Sequence, residues 1–226
     1  SKNNVFISFD EWNVWYHERN NDAKRVKEWD WPVAPALLED IYNFEDALLV
    51  AGILNVFLRH ADRVKIACIA QLVNVIAPIM TAPGGPAWRQ SIFYPLEIAS
   101  RLGRGVSLNV AVDSPTYDCN EADDVPYADV SAVASEDGET LTIFAVNRHE
   151  SEAMEIDASL VGFGNLEISE HVALSDTDAK TANSAQQPNA VQPKQGSGLA
   201  IVDGNRLAGA LPAFSYAAIT CRTVTA

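Results

Sequence analysis

Cysteine is scarce. The 226-residue chain holds three, at positions 68, 119 and 221, and none lies in a Cys-x-x-C or Cys/His ligand spacing. That excludes a disulfide framework or a zinc ribbon as the organising principle of the fold. The count leaves room for one disulfide, the wide spacing suits a reducing compartment, and a cytoplasmic location is expected. No apolar run reaches the ~18 residues that a membrane span needs. The longest, residues 66–80, is interrupted by Gln71 and Asn74 and reads as buried core, with Cys68 a small residue inside it. Phosphate-binding chemistry is missing too: Gly84-Gly85 has neither the Lys nor the Ser/Thr of a phosphate loop. There is no nucleophile elbow and no metal-binding helix motif, so no metal and no organic cofactor are expected. Basic residues are few in the second half. Residues 105–226 carry 5 Lys/Arg against 18 Asp/Glu, whereas residues 1–104 carry 11 against 12. A nucleic-acid backbone would be repelled by that acidic half, and a neutral sugar would not. No secretory leader is visible; the chain starts at Ser1 rather than Met, so its absence decides nothing.

What is present describes a globular protein, with 48% hydrophobic and 20% charged residues. The charge asymmetry divides it into two differently built halves. Residues 1–104 alternate strand and helix. Residues 5–9 form an apolar strand, and residues 18–31 are polar and read as a long loop, broken again by Pro32 and Pro35. Asn43 is placed to cap a helix running to about Arg59, with Glu45 and Asp46 favouring its dipole. Phe44, Ala47, Leu48, Ala51, Leu54 and Leu58 recur at steps of three and four. A second strand begins at 64, TAPGGP (81–86) is loop, and a second helix is expected over about 91–102, stopped by Gly103. This β-loop-α-β-loop-α order is the unit of a parallel α/β fold. Two strands cannot close a barrel, so this half would leave sheet edges and a face bare. Residues 105–226 change grammar. Alternation over 106–112, a hairpin signal around Glu136-Asp137-Gly138-Glu139, further short strands over 153–160, 166–174, 199–201 and 214–223, and a polar loop over 175–198 indicate a jelly-roll-type β-sandwich.

The chemistry concentrates at residues 5–17, VFISFDEWNVWYH. A buried strand ends in the carboxylates Asp10 and Glu11 and then in Trp12, Trp15, Tyr16 and His17. A strand-end carboxylate among aromatic rings is how sugar-cleaving enzymes hold a nucleophile. Glu11 is the candidate. Regular alternation puts Asp10 on the other side of the strand, as a structural acid. Trp15, four residues past Glu11, is placed to line a pocket. Trp12, Tyr16 and His17 read as support, and Trp29 and Trp31 as weaker candidates for an outer subsite. Gln71 follows the second strand, on the same rim as Glu11, where it can hydrogen-bond a sugar hydroxyl or hold the nucleophile. Asn74 is a weaker candidate of the same type.

These segments resemble the C-terminal portion of glycoside hydrolase family 51, the α-L-arabinofuranosidases. The likeness rests on FDEWNVWYH (9–17), LLED (37–40), residues 45–55, LRHADRVKIACIAQLVNVIAPIMT (58–81), residues 84–95, residues 189–194 and LPAFSYAAI (211–219). The resemblance implies C-terminal units of a (β/α)8 TIM barrel over 1–104, a β-sandwich over 105–226, and retention of configuration through a glycosyl-enzyme intermediate. It matches Glu11 to the nucleophile, and Trp15 and Gln71 to the substrate-binding tryptophan and glutamine. It implies a homo-oligomer, often a hexamer, and a substrate of arabinose-containing oligo- or polysaccharide, trimmed from its ends. An endoglucanase or xylosidase on the same framework, or a non-catalytic carbohydrate-binding or assembly fragment, is the alternative.

One departure matters. The family's acid/base glutamate lies in an Asn-Glu pair upstream of the nucleophile. Ten residues precede Glu11 here, without that pair, and Asn120-Glu121 falls in the β-rich half. General acid–base assistance is worth ~10²–10⁴ in rate. The isolated chain is therefore expected to be inactive, and to need a separate N-terminal polypeptide that completes the barrel.

Overall fold

The computed structural model describes residues 4–15, 33 and 38–224. Strands β1 (Ile7–Trp12) and β2 (Val64–Ile69) pair in parallel and are connected across helix α1 (Phe44–Arg59). Asn43 caps α1 as expected. Its side chain accepts from the Asp46 N–H at 3.1 Å while Asp46 accepts from the Asn43 N–H at 2.8 Å, a reciprocal capping box. TAPGGP joins the short hairpin strands β3 (Ile79–Thr81) and β4 (Ala87–Arg89). Helix α2 (Phe93–Leu102) follows and stops at Gly103.

The remainder is antiparallel: β5 (Val106–Leu108), β6 (Thr116–Tyr117), β7 (Val125–Pro126), β8 (Ala128–Ala134), β9 (Thr140–Asn147), β10 (Met154–Ser159), β11 (Leu166–Ser175), β12 (Lys194–Gln195), β13 (Leu199–Val202), β14 (Arg206–Leu211) and β15 (Ser215–Thr223). Six of these form one sheet in the order β12-β11-β15-β9-β8-β5, and three form a second, β10-β14-β13. The large sheet is covered on both faces. On one, Phe44, Leu48 and Ala51 of α1 and Tyr94 and Ile98 of α2 pack with Phe144, Val146, Tyr216 and Ala218. On the other, Ile143, Ala145, Ala217 and Ile219 pack with Leu207 and Leu211 of the small sheet. Because both faces are buried, every residue of β9 from Leu141 to Asn147 is buried, and alternation is lost from its burial.

The core joining helices to sheet runs across the boundary at residue 104 expected from the sequence. Gly105 makes that crossing possible. It has φ +137°, and a Cβ there would lie 2.0 Å from the Ala134 carbonyl oxygen. Three sequence expectations need adjustment. The alternation over 106–112 yields only the three-residue β5. Strand β14 went unassigned, because its small residues (RLAGAL) lack strand propensity and its place is fixed by pairing with β10 and β13. The polar stretch 175–198 is more than loop. It buries Asn183 and Val191 and supplies β12, and its Ala179 and Thr181 carbonyls accept from the Glu45 and Phe44 N–H groups at the start of α1.

The largest correction concerns β1 and β2. Residues 66–80 were expected to be buried, with Cys68 in the core. Ala70, Ile76, Ala77 and Met80 are buried, but Ile66 and Cys68 in the strand, with Ile7 and Phe9 of β1, are exposed. The helix side of this two-stranded sheet is covered by α1, but its open face and outer edges meet no partner among the described residues. An apolar sheet left bare this way is what two strands of a barrel would give without their neighbours. All three cysteines are free; Cys221 is buried, which pushes its thiol up to about 11.

Candidate active site

The C-terminal ends of β1 and β2 lie on one rim because the strands are parallel. The pairing is not regular there. Phe9 pairs with Ala67 and Trp12 with Ile69, so three residues of β1 span two of β2. The extra residue falls at Asp10–Glu11. Its cause is visible in the packing: Phe9 and Trp12 both rest on Phe57 of α1, with ring centroids 5.3 and 5.2 Å apart. Residues three apart on a regular strand would face opposite ways, and the bulge brings both rings to the helix. This also interrupts the alternation that assigned Asp10 and Glu11 to opposite sides. Asp10 accepts a hydrogen bond from the Ser8 hydroxyl, and both carboxylates are exposed. Among the described residues Glu11 has no hydrogen-bond or ion-pair partner.

Gln71 stands at the end of β2, exposed, with its side chain likewise unpaired among the described residues. Its backbone is held closely. The Trp12 carbonyl accepts from the Ala70 N–H at 2.9 Å, and the Gln71 N–H donates to the Ile76 carbonyl at 3.2 Å. Asn13 completes the connection. Its amide nitrogen donates to the Ala70 carbonyl at 2.6 Å and to the Ile76 carbonyl at 2.5 Å, and its oxygen accepts from the Val14 N–H at 2.8 Å. The two carbonyls flank Gln71 and the turn after it, where Asn74 (φ 64°) and Ile76 (φ 39°) are left-handed. For a β-branched residue such as Ile76 that conformation is strained.

Trp15 is half exposed at the rim, and Trp12 is only 7% exposed, in the core under it. The segment bearing Trp15 is anchored from below. Tyr42 donates its hydroxyl to the Val14 carbonyl at 2.9 Å, and its N–H donates to buried Gln90 at 3.0 Å. Gln90 in turn donates to the carbonyls of Asp40 and Ala77. Burial, then the nearby Asp40 and Asp46 carboxylates, push the Tyr42 phenol well above its ordinary range, so it stays a neutral donor. Asn74 bonds Thr81, accepting from its N–H at 2.8 Å and donating to its hydroxyl at 3.0 Å, and so shapes the turn after Gln71. Tyr16, His17, Trp29 and Trp31 lie outside the described residues. Asn13, Tyr42 and Gln90 were missed by sequence reasoning. Their roles come from carbonyls distant in the chain, and only the Asn set into the aromatic run WNVW hinted at one of them. No group of three or more His, Cys, Asp or Glu side chains able to hold a metal ion occurs among the described residues.

The α-L-arabinofuranosidase C-terminal domain family matches residues 10–215. The chain belongs to that family. This arabinofuranosidase C-terminal domain is 55% identical over 197 residues to intracellular exo-α-(1→5)-L-arabinofuranosidase 1 of Bacillus subtilis, covering 87% of the chain and 39% of the relative. It is 48% identical to the intracellular exo-α-(1→5)-L-arabinofuranosidase of Halalkalibacterium halodurans, covering 96% and 42%. It superposes on AbfB, a family 51 α-L-arabinofuranosidase from Bifidobacterium longum, with a TM-score of 0.87 at 34% identity, over 97% of the chain and 43% of AbfB. The chain thus spans about two-fifths of the length of the relatives it matches. Its fold is that of the family's C-terminal portion, mostly β with few helices, and the β-sandwich expected from sequence is there.

Proposed function

We propose that this chain is the nucleophile-bearing portion of a retaining, exo-acting α-L-arabinofuranosidase. Residues 1–104 contribute the last two βα units of the barrel and residues 105–226 its sandwich. The observation that carries the reading is the placement of Glu11 and Gln71 on one strand-end rim, both exposed and without side-chain partners among the described residues, in a chain that is 55% identical to an enzyme named as an exo-α-(1→5)-L-arabinofuranosidase. A carboxylate at such a rim is where a barrel enzyme does its chemistry. A Glu11 oxygen bonds to the anomeric carbon as the glycosidic C–O bond breaks. The departing oxygen takes a proton from a second carboxylic acid, ~5–5.5 Å from the first in retaining enzymes. Water, deprotonated by that same group, then releases arabinose with net retention. Gln71 hydrogen-bonds a furanose hydroxyl, and Trp15 offers a ring face to the sugar.

The second carboxylate and the remaining barrel strands come from polypeptide outside residues 1–226. The bare apolar face of β1 and β2 supports this. So does an exposed apolar stripe on α1, where Leu49 and Val56 are 50% and 41% exposed. The substrate is an arabinan- or arabinoxylan-type glycan. The assembled enzyme works as a homo-oligomer, and the relatives' names support an intracellular site of action. The test is reassembly. Neither this chain nor a separately made N-terminal piece should release arabinose alone, and their mixture should. Activity from this chain by itself would overturn the need for a second carboxylate from outside it.

A further inference from the structure

We propose that Asn13 is a positioning residue that sets the geometry between Glu11 and Gln71, and that it acts through Gln71. This rests on the functional reading above. Asn13 lies two residues past Glu11 on the same strand end. Its NH2 group donates to both Ala70 O and Ile76 O, the carbonyls that bracket Gln71 and the four residues after it. The Ile76 carbonyl receives a second hydrogen bond, from the Gln71 N–H. One acceptor therefore ties the side chain of Asn13 to the backbone of Gln71. The turn so held contains the left-handed Asn74 and Ile76, and strained backbone persists only where its surroundings over-determine it. Ile76 is anchored again by its own N–H donating to Leu38 O at 2.6 Å, and Asn74 is anchored by Thr81. The clasp from Asn13 is the side-chain link between the turn and the nucleophile strand, beside the backbone bond from the Ala70 N–H to the Trp12 carbonyl.

The chemistry of the clasp makes a sharp substitution available. Asn13→Asp keeps the shape but replaces the donating NH2 with an oxygen facing two carbonyl oxygens. Asn13→Ala removes the group without adding repulsion. A misplacement of about 1 Å at a reacting centre costs on the order of 10²-fold in rate.

Two measurements test the proposal. In the isolated chain, hydrogen–deuterium exchange over residues 70–77 should accelerate at least tenfold in Asn13→Asp, while the β9 and β15 peptides stay as in the wild type. Unchanged exchange over 70–77 would overturn the clasp whether or not the reassembled protein is active. In the reassembled protein, with active sites counted by a covalent furanosyl label, Asn13→Asp should lower kcat/KM per labelled site by about 10²-fold. Gln71→Ala should lower it similarly, and the double variant should lose little more than either single one. Additive losses would overturn the route through Gln71. A purely structural role would lower the number of labelled sites and leave kcat/KM per site unchanged, which also overturns the proposal. An inactive wild-type assembly would count against the functional reading, and the exchange result would still decide the clasp.

Discussion

Asp129 fastens the helical part of the chain to the sandwich, and its loss should be measurable. The carboxylate is 4% exposed. It accepts from Arg59 of α1 at 2.5 Å and from Arg148, which follows β9. Asn55 of α1 donates to the Asp129 backbone carbonyl at 3.1 Å and accepts from the Ser131 hydroxyl at 2.8 Å. Asp129→Ala leaves two guanidinium groups facing one another across the space of the lost carboxylate. Breaking a fully buried pair costs ~3–5 kcal/mol, and an exposed one ~0–1 kcal/mol. Here the arginines are 34% and 30% exposed, so water recovers part of the loss and about 2–3 kcal/mol is expected. At ~2–4 °C per kcal/mol for a chain of this size, the melting temperature should fall by roughly 4–12 °C. Asp129→Asn, which keeps one acceptor, should lose less. The described tryptophans, Trp12, Trp15 and Trp88, lie outside the sandwich, so their emission follows the helical part, while far-ultraviolet dichroism is weighted to the sheets. The shared core predicts coincident transitions in the wild type and an earlier loss of tryptophan signal in Asp129→Ala. A variant melting within about 1 °C of the wild type would refute this account of how the parts are joined.

Three further outcomes follow from the packing. Ile66→Glu, on the bare face of β2, should change the isolated chain's stability by no more than ~0.5 kcal/mol yet abolish reassembly with the N-terminal piece in a pull-down or by size exclusion; unimpaired assembly would argue against that face as the contact. Phe57→Ala removes the surface shared by Phe9 and Trp12 and should cost ~2–4 kcal/mol in urea unfolding, with emission changes that report Trp12. His171 is buried, which lowers its pKa from the ordinary 6.5. The unfolded chain therefore takes up the proton first, so stability present above about pH 6.5 is lost as pH falls from there toward the folded value. His171→Gln should flatten that slope in pH-dependent melting.

The local grammar of the fold was legible because it depends on nearby residues. The Asn43 cap, the stop at Gly103 and the hairpin between β8 and β9 are each set within a few positions, and the structure has them where the sequence places them. The burial of β1 and β2 was misread because a strand's apolar pattern states what it is built to bury, not what is there to cover it. Ile66 and Cys68 are core residues by composition and surface residues in this chain. Glu11, Trp15 and Gln71 stood out as polar or aromatic residues at strand ends. The bulge at Asp10–Glu11 did not, since it arises from Phe9 and Trp12 competing for one ring on α1. Asn13 and Gln90 escaped for a related reason: their partners are carbonyl oxygens up to 63 residues away, and a carbonyl carries no sequence signature.

The central claim is that Glu11 becomes covalently bonded to the sugar during turnover. A mechanism-based arabinofuranosyl label applied to the reassembled protein, followed by peptide mass analysis, addresses it directly. The account predicts one added furanosyl mass on the peptide containing Glu11, and none in Glu11→Gln. A label on any other carboxylate, or an active assembly that survives Glu11→Gln with its rate intact, would contradict it.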